Sequence, residues 1–393
     1  MLPRARIRKR DDAPLASSRD ERLCRTCAPT IRFSSRGGGQ DGAVERLVLL
    51  ASREVKLLAS LTPLDAHRER TRLVEALEAG REAAPRWRYV RAPHDDLRRA
   101  LDDAERGLAE DAETSLDRLY LDRVRELALE AELCAAAGTP QVAHLARERF
   151  SPADEDVARQ ASALCASWVA QPSETSAAPT LASDDDDPRS LLSRMRAEVG
   201  RLRLPFTVVT QATLAPLAAT GDGVVFVAPG RPVTEEEATR TVLHEVVGHV
   251  CPRARSMSSS LALIRAGTAR GVDDQEGRAL LLEERAGLLG ARRRRQLAAR
   301  HRACHAMAGG AVFAEVAREL IVEHDIDPLQ AVIVAERVFR GGDGVRPGLG
   351  RERVYLEAFV RVRAHLALCP EDEAILAAGQ VAVEAAGALR GLL

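Results

Sequence analysis

Residues 234–250 read TEEEATRTVLHEVVGHV, and the spacing of their apolar residues predicts one amphipathic helix. The helix carries His244, Glu245 and His249. In a common pattern of zinc hydrolases, two histidines four residues apart leave the same face of a helix and bind the ion, and the Glu between them is a general base. The stretch therefore predicts a metal site of this kind, with one additional residue between the histidines.

The two histidines stand five residues apart rather than four. At 3.6 residues per turn, this spacing places them roughly 140° apart around a regular α-helix, so both cannot reach one ion. Gly248 precedes the second histidine and tolerates the backbone angles of a π-type bulge or of a helix end. We therefore predict that the helix, which begins near Glu235, departs from regular α form at residues 247–249.

A third ligand is offered by Glu276, near the start of a second helical pattern in residues 272–287, VDDQEGRALLLEERAG. Catalytic zinc sites use three protein ligands and leave a position for water, whereas structural sites usually close four. Three candidate ligands therefore favour a catalytic site. A core helix with two hydrogen-bonded histidines is the alternative interpretation.

Two other groups of residues have the right types for a metal but weaker patterns. His301, Cys304 and His305 share a helix face, yet no adjacent Glu is placed as a base, so a satisfied or solvent-facing pair is the preferred interpretation. Cys24 and Cys27 form a lone C-x-x-C without the second pair of a zinc ribbon. We interpret these two cysteines as incidental.

The H-E-x-x-x-H motif at residues 244–249, followed by Q-E-G at 275–277, resembles the bacterial proteins named for a QEGLA motif. Those proteins are described as flavohaemoglobin expression modulators, and they share a domain with the microtubule-associated tyrosine carboxypeptidases, which are HExxxH zinc peptidases. The similarity continues in the helical N-terminal part and in a closing motif at 338–359, and it covers roughly residues 43–390.

By position, the resemblance implies three metal ligands and one base. The implied ligands of Zn²⁺ are His244, His249 and Glu276. Glu245, next to the first ligand, is the implied catalytic base. Arg278 stands where the QEGLA motif has Leu. This departure leaves the implied ligand set intact, but the arginine could alter packing or place a cation near the substrate.

The implied function is a zinc-dependent carboxypeptidase that removes a C-terminal residue from a peptide or protein. Such an enzyme needs a cation for the terminal carboxylate of its substrate, and Arg340 in the sequence FRGG is the first candidate. Tyr355 is a candidate donor to the oxyanion of the tetrahedral intermediate. The alternatives are a zinc endopeptidase and a zinc-containing regulatory or binding protein without peptidase activity. Glu245 favours an enzyme, because a structural site has no use for an unliganded carboxylate there.

Composition limits the classes of function. The 393 residues carry a net charge of −1, so no overall field would attract nucleic acid or an anionic membrane. No apolar stretch reaches the length of a membrane span, and the charged N-terminus lacks the apolar region of a secretory signal. The seven cysteines are scattered, unlike those of a secreted disulfide framework. We therefore predict a cytoplasmic protein that binds neither nucleic acid nor membrane.

The predicted fold class is mainly α with a small β-sheet (α+β). Residues 1–42, rich in Arg, Ser and Gly, predict a disordered basic tail. Residues 43–170 show helical periodicity whose breaks predict a bundle of about five helices. A segment rich in Ser, Pro and Asp, 171–189, predicts a linker or mobile loop, and residues 190–393 predict a zincin-like catalytic domain.

Within the predicted catalytic domain, residues 206–211 (FTVVTQ) and 224–228 (VVFVA) have the β-branched content of strands. Thr234, with Glu237 three residues later, predicts a capping box at the start of the metal-site helix. A small sheet beside a metal-binding helix is the expected core of a zincin. We predict that 224–228 is the edge strand next to this helix and pairs with an extended substrate.

Overall fold

The structure is a computed structural model that describes most of the chain. The described residues are 40–81, 83–152, 154–171 and 180–393. They are mainly helical with two small sheets, which confirms the predicted fold class. The predicted tail up to residue 39, the pair Cys24 and Cys27, and residues 172–179 of the predicted linker lie outside the described residues. Within the described part, no helix combines the length and the apolar character that crossing a bilayer requires.

Seven α-helices occupy the described residues before position 170. They are α1 (Gln40–Glu54), α2 (Leu57–Ser60), α3 (Ala66–Glu78), α4 (Asp95–Asp111), α5 (Ser115–Ala135), α6 (Gln141–Phe150) and α7 (Glu155–Val169). The sequence predicted about five, because the breaks before α2 and α5 contain neither Gly nor Pro. The break before α5 depends instead on a capping box between Thr114 and Asp117, which supplies hydrogen bonds to the first turn of the helix.

The described residues after position 190 contain eleven further α-helices. They are α8 (Leu191–Arg201), α9 (Glu235–Val242), α10 (Cys251–Met257), α11 (Ala262–Ala266), α12 (Gly271–Arg285), α13 (Ala291–Ala308), α14 (Phe313–Val322), α15 (Pro328–Val338), α16 (Val354–Leu368), α17 (Glu373–Leu376) and α18 (Val383–Leu389). A π-helix, π1 (Leu243–Val250), joins α9 to α10, and 3₁₀ turns occupy Arg351–Arg353 and Pro370–Asp372. The residues predicted to bind metal lie on π1 and α12.

Five short strands form two sheets among the described residues. They are β1 (Thr180–Ala182), β2 (Thr207–Thr210), β3 (Ala218–Thr220), β4 (Val224–Val227) and β5 (Pro232–Thr234). β1 pairs with β5 antiparallel. The second sheet has the order β2-β4-β3, with β2 parallel and β3 antiparallel to β4. β2 and β4 confirm both predicted strands to within one residue at each end.

The prediction that residues 224–228 form the edge strand is wrong, because β4 lies between β2 and β3. Its register pairs Val225 with Val208 on one side and with Thr220 on the other. β3 is the edge strand beside π1, and its Ala-rich sequence carries no strand signal.

The three-stranded sheet packs one face against α8, α9 and π1. Val225 and Val227 alternate along β4, so both point to this face. They share a core with Leu191 and Met195 of α8 and with Val246 of π1, whose side chain is completely buried. Burial of these apolar side chains fixes the motif helix against the sheet.

Two glycines allow the helices around the candidate site to approach closely. A Cβ at Gly277 would lie 2.4 Å from the backbone of Ala358, so any larger residue would push α12 away from α16. A Cβ at Gly248 would lie 2.8 Å from the Cβ of Ala279, where π1 packs against α12. Gly248 keeps a right-handed helical backbone. Its role is therefore close packing rather than the backbone freedom predicted from the sequence.

A buried ion network joins the N-terminal helices to α12. Arg149 of α6 forms ion pairs at 2.9 Å with Glu126 and Glu130 of α5. Its third partner, also at 2.9 Å, is Asp273 of α12. A guanidinium has five N–H donors, so one arginine can satisfy three carboxylates. Without it, three buried charges would lose their common partner.

Replacing Arg149 with Met is expected to lower the free energy of unfolding by about 3–5 kcal/mol, because two carboxylates would be left without a paired cation. Glu130 and Asp273 would lose their ion-pair partner, whereas Glu126 would keep Arg123. Chemical denaturation followed by circular dichroism measures this change. Arg159→Met is the control, since the ion pairs of Arg159 on α7 are exposed and such pairs contribute about 0–1 kcal/mol. Equal stability losses in the two variants would contradict the prediction.

Candidate metal centre

The motif helix begins and changes form as the sequence predicts. Thr234 and Glu237 form the predicted capping box, and α9 begins at Glu235. From Leu243 to Val250 the backbone is π-helical, a form with i→i+5 hydrogen bonds, and α10 follows without interruption. The predicted departure from α form is therefore confirmed, although it begins before residues 247–249.

The π-helix places the two motif histidines on one face, turned toward α12. Their ring centroids are 4.9 Å apart. The Nε2 atoms of His244 and His249 each lie 3.5 Å from Oε2 of Glu276. The structure thus brings together the three residues predicted to bind metal, and their ligand atoms lie within 4.8 Å of one another.

The donor set fits a zinc ion. Ligand atoms about 2.0–2.1 Å from a tetrahedral zinc are about 3.4 Å apart, close to the 3.5 Å separations in this chain. Two imidazole nitrogens and one carboxylate oxygen also make up the ligands of known catalytic zinc sites that keep a fourth position open. These three residues could therefore hold zinc without a large rearrangement.

The second nitrogen of each imidazole is held by a partner on α12. Nδ1 of His244 is 2.7 Å from Oε1 of Glu283, and Nδ1 of His249 is 2.9 Å from Oε1 of Gln275. Glu283 is fully buried and accepts two hydrogen bonds of 3.1 Å from Arg293 on α13. Such contacts fix the tautomer that leaves Nε2 free, which is the form that a metal needs.

The charges around the site favour a cation between the imidazoles and the carboxylate. Burial opposes protonation of His244, but hydrogen bonds to Glu276 and Glu283 outweigh it and raise its pKa to about 9. Burial opposes ionisation of Glu276, yet the neighbouring His249 and His244 hold its pKa well below its usual range. In both cases the favoured state places a positive charge beside the carboxylate. A divalent metal satisfies the same preference.

Glu245, the predicted base, lies beside the ligand set but is not part of it. Its Oε2 accepts a hydrogen bond of 2.8 Å from the hydroxyl of Thr220, at the end of β3. The side chain is partly exposed, so a water molecule or a substrate can reach it. A carboxylate that is held in position, accessible and outside the candidate ligand set has the geometry that a general base needs.

The second oxygen of Glu276 faces α16 and the 3₁₀ turn before it. Oε1 lies 3.3 Å from Nη2 of Arg351 and 3.5 Å from the hydroxyl oxygen of Tyr355. The same hydroxyl accepts a hydrogen bond of 3.0 Å from Arg337. The structure therefore brings Tyr355 to the candidate centre, in contact with a predicted metal ligand.

Arg340 lies in the turn after α15, and no hydrogen bond or ion pair joins it to the predicted ligands in the described structure. Its Nε is buried without a hydrogen-bond partner among those residues. Burial and the nearby Arg337 lower its pKa to about 10. Arg300 on α13 is similar, because the same two causes lower its pKa to about 10 and its nearest carboxylate, on Glu352, is 3.8 Å away. Both guanidiniums are thus poorly neutralised.

Arg278, the departure from the QEGLA motif, points toward α17 rather than toward the predicted ligands. Its Nε donates a hydrogen bond of 3.0 Å to Glu373. Of the two roles predicted for this arginine, packing is the one that its position supports.

The rival histidines on α13 form a pair of their own. The Nε2 atoms of His301 and His305 are 3.1 Å apart. Burial is the largest cause that lowers the pKa of both imidazoles, and the Arg353 cation adds to it. Cys304 donates to the carbonyl of Gly350 instead of turning toward them. The two histidines thus form a hydrogen-bonded pair beside the cation of Arg353. This arrangement agrees with the interpretation preferred from the sequence, a satisfied pair rather than a metal site.

Some residues of the site were not identified from the sequence. Glu283 lies seven residues after Glu276 on one helix, and this two-turn spacing places both on the same face, so a signal for it was present. Thr220 and Arg351 come from distant parts of the chain. Only the tertiary fold brings these two residues to the motif.

A protein-family model described as microtubule-associated tyrosine carboxypeptidase matches residues 76–393. The matched range includes π1, α12 and every residue of the candidate centre. No curated protein matches the chain.

Proposed function

We propose, because the chain belongs to the microtubule-associated tyrosine carboxypeptidase family, that it is a zinc-dependent carboxypeptidase that removes a C-terminal residue. Family membership supports a peptidase that acts on a peptide or protein. The zinc assignment is supported by the convergence of His244, His249 and Glu276, with 3.5 Å between each Nε2 and the carboxylate oxygen. This convergence is the observation on which the proposal most depends.

Each residue of the candidate centre has a separate role in the proposed hydrolysis. Zinc bound there would acidify a water molecule and polarise the scissile carbonyl. Glu245 takes the proton of the attacking water and then delivers it to the leaving amine. Thr220 holds the Glu245 carboxylate in position. Glu283 and Gln275 keep the two imidazoles oriented.

The substrate peptide extends along β3 in this proposal. This strand is an edge of the three-stranded sheet in the described part of the chain, and it ends at Thr220, which contacts the proposed base. A peptide added as a further strand would form main-chain hydrogen bonds with residues 218–220. Such pairing brings a peptide backbone to Glu245 whatever its sequence, so side-chain pockets decide specificity.

A carboxypeptidase must also recognise the terminal carboxylate of its substrate. Arg340 and Arg300 are the candidates, because both guanidiniums are largely buried and have little compensating negative charge. An ion pair with the substrate would supply the missing charge, and a guanidinium can form it with two parallel hydrogen bonds. An endopeptidase has no such requirement.

Cleavage is therefore expected to require a free carboxylate on the substrate. Amidation of the C-terminus should lower kcat/KM roughly tenfold to a hundredfold, the effect of losing about 1.5–3 kcal/mol from a hydrogen bond to a charged group. Arg340→Ala should reduce this difference between free and amidated peptides. Mass spectrometry of the products, with zinc-loaded protein, measures both effects.

Arg346→Ala is the matched control, since Arg346 lies in the same loop but is exposed and pairs with Asp343. It should discriminate between free and amidated peptides as the wild type does. Equal cleavage of the two kinds of peptide would favour a zinc endopeptidase. If a broad peptide library shows no zinc-dependent cleavage, the regulatory or binding protein becomes the better interpretation.

A further inference from the structure

A groove of about 860 Å³ opens among α10, α11, α12 and α17. Its charged lining includes Arg255 and Arg278, and its apolar lining includes Ile264, Ile375 and Ala378. The predicted metal ligands and the predicted base do not line it. Its volume falls within the range of about 300–1,000 Å³ that small-molecule sites occupy.

Arg278 is the buried cation of this groove. Only 6% of the residue is exposed. Its Nε donates to Glu373, but its Nη1 is buried and has no hydrogen-bond partner among the described residues. A buried guanidinium N–H without an acceptor costs free energy. The guanidinium therefore keeps hydrogen-bonding capacity that Glu373 does not use, and Arg278 is one of the residues that line the groove.

The two glutamates that line the groove already form ion pairs with arginines. Glu373 uses one oxygen for Arg278 and the other for Arg285, each at 3.0 Å. Glu371, which also lines the groove, is exposed and pairs with Arg390 at 3.4 Å. Glu373 is therefore engaged through both of its oxygens. The exposed C-terminal residue, Leu393, also lines the groove.

Arg255 adds a second positive charge to the groove. Its Nη1 donates a hydrogen bond of 3.2 Å to the carbonyl of Ala377, and it forms no ion pair within the described chain. Both arginines line the same groove, so an anion bound there can contact two positive charges.

We propose that the groove binds a small amphipathic anion, a carboxylate or a phosphate ester carrying an apolar chain. Its head group contacts Arg278 and Arg255, and its chain lies along Ile264, Ile375 and Ala378. The arginine fork suits both head groups, because each offers two oxygens at the spacing of two guanidinium N–H groups. This site is separate from the candidate metal centre and does not depend on zinc.

Isothermal titration calorimetry with the full chain tests this proposal. The probes are sodium octanoate, octyl phosphate and uncharged octan-1-ol. Wild-type protein should bind at least one of the two anions, and it should bind octan-1-ol at least about tenfold more weakly. Arg278→Leu, which introduces the leucine of the QEGLA motif, should weaken anion binding at least about tenfold. The stronger of the two anions identifies the head group.

Arg285→Leu is the matched control, because Arg285 pairs with the same Glu373 but does not line the groove. It should bind the anion as the wild type does. Arg255→Glu keeps the test decisive if Arg278→Leu does not fold, since a reversed charge should also weaken binding. Any of four results would overturn the proposal. These are binding of octan-1-ol as tight as that of the anions, no binding of either anion, unchanged binding in the groove variants, and loss of binding in Arg340→Ala.

Discussion

Replacing Glu245 with Gln is expected to slow peptide cleavage at least about a hundredfold, while zinc content and fold stay unchanged. The amide has nearly the size of the carboxylate but cannot take a proton from water at neutral pH. Its oxygen can still accept the hydrogen bond from Thr220, so the side chain should keep its position. The loss should therefore appear in kcat with little change in KM. Single-turnover cleavage at matched zinc content measures it.

Glu236→Gln is the control for this variant. Glu236 is an exposed carboxylate on α9, on the same continuous helix but away from the candidate ligands. Its replacement should leave activity at the wild-type level. Full activity in Glu245→Gln would remove the base from the proposed mechanism, and loss of zinc from that variant would instead identify Glu245 as a ligand.

Replacing His249 with Ala is expected to abolish tight zinc binding and, with it, cleavage. His244 and Glu276 would remain, but catalytic zinc sites use three protein ligands. Elemental analysis after dialysis should find about one zinc per chain in the wild type and almost none in the variant. Circular dichroism of both proteins shows whether the helical fold is kept.

His305→Ala is the matched control, because it disrupts the other pair of neighbouring histidines. This variant should keep its zinc. A wild-type protein without zinc after supplementation would end the zinc proposal. Zinc retained in His249→Ala and lost in His305→Ala would place the ion on α13 instead.

The features that the sequence predicts well depend on local patterns. Thr234 and Glu237 specify the start of the motif helix through a hydrogen-bond exchange within one turn. The five-residue spacing of the histidines requires a backbone wider than α if both are to face one ion, and π1 has that form. The β-branched runs of β2 and β4 likewise mark strands without reference to their partners.

Strand order and the surroundings of Glu276 depend on long-range packing instead. β4 is central only because β3, an Ala-rich segment without strand signal, pairs with its second side. Arg340 was the arginine predicted for the substrate, from the glycines that follow it. Arg351 is the arginine that the fold places against Glu276, since the 3₁₀ turn before α16 lies over α12. No spacing in the sequence distinguishes these two residues.

The π-helix at the histidines also suggests how such a motif can arise. A π-turn within an α-helix takes up one additional residue locally, so the helix beyond it keeps its frame. A motif with a spacing of five residues can therefore arise from one with a spacing of four by insertion of a single codon, without a change in the helix beyond the π-turn. An inserted codon between the histidines would leave Pro252 and Ser256, which are buried on α10, in their packing positions. Ancestry by such an insertion predicts what π1 shows, a widened segment at the candidate metal centre with α-helix before and after it.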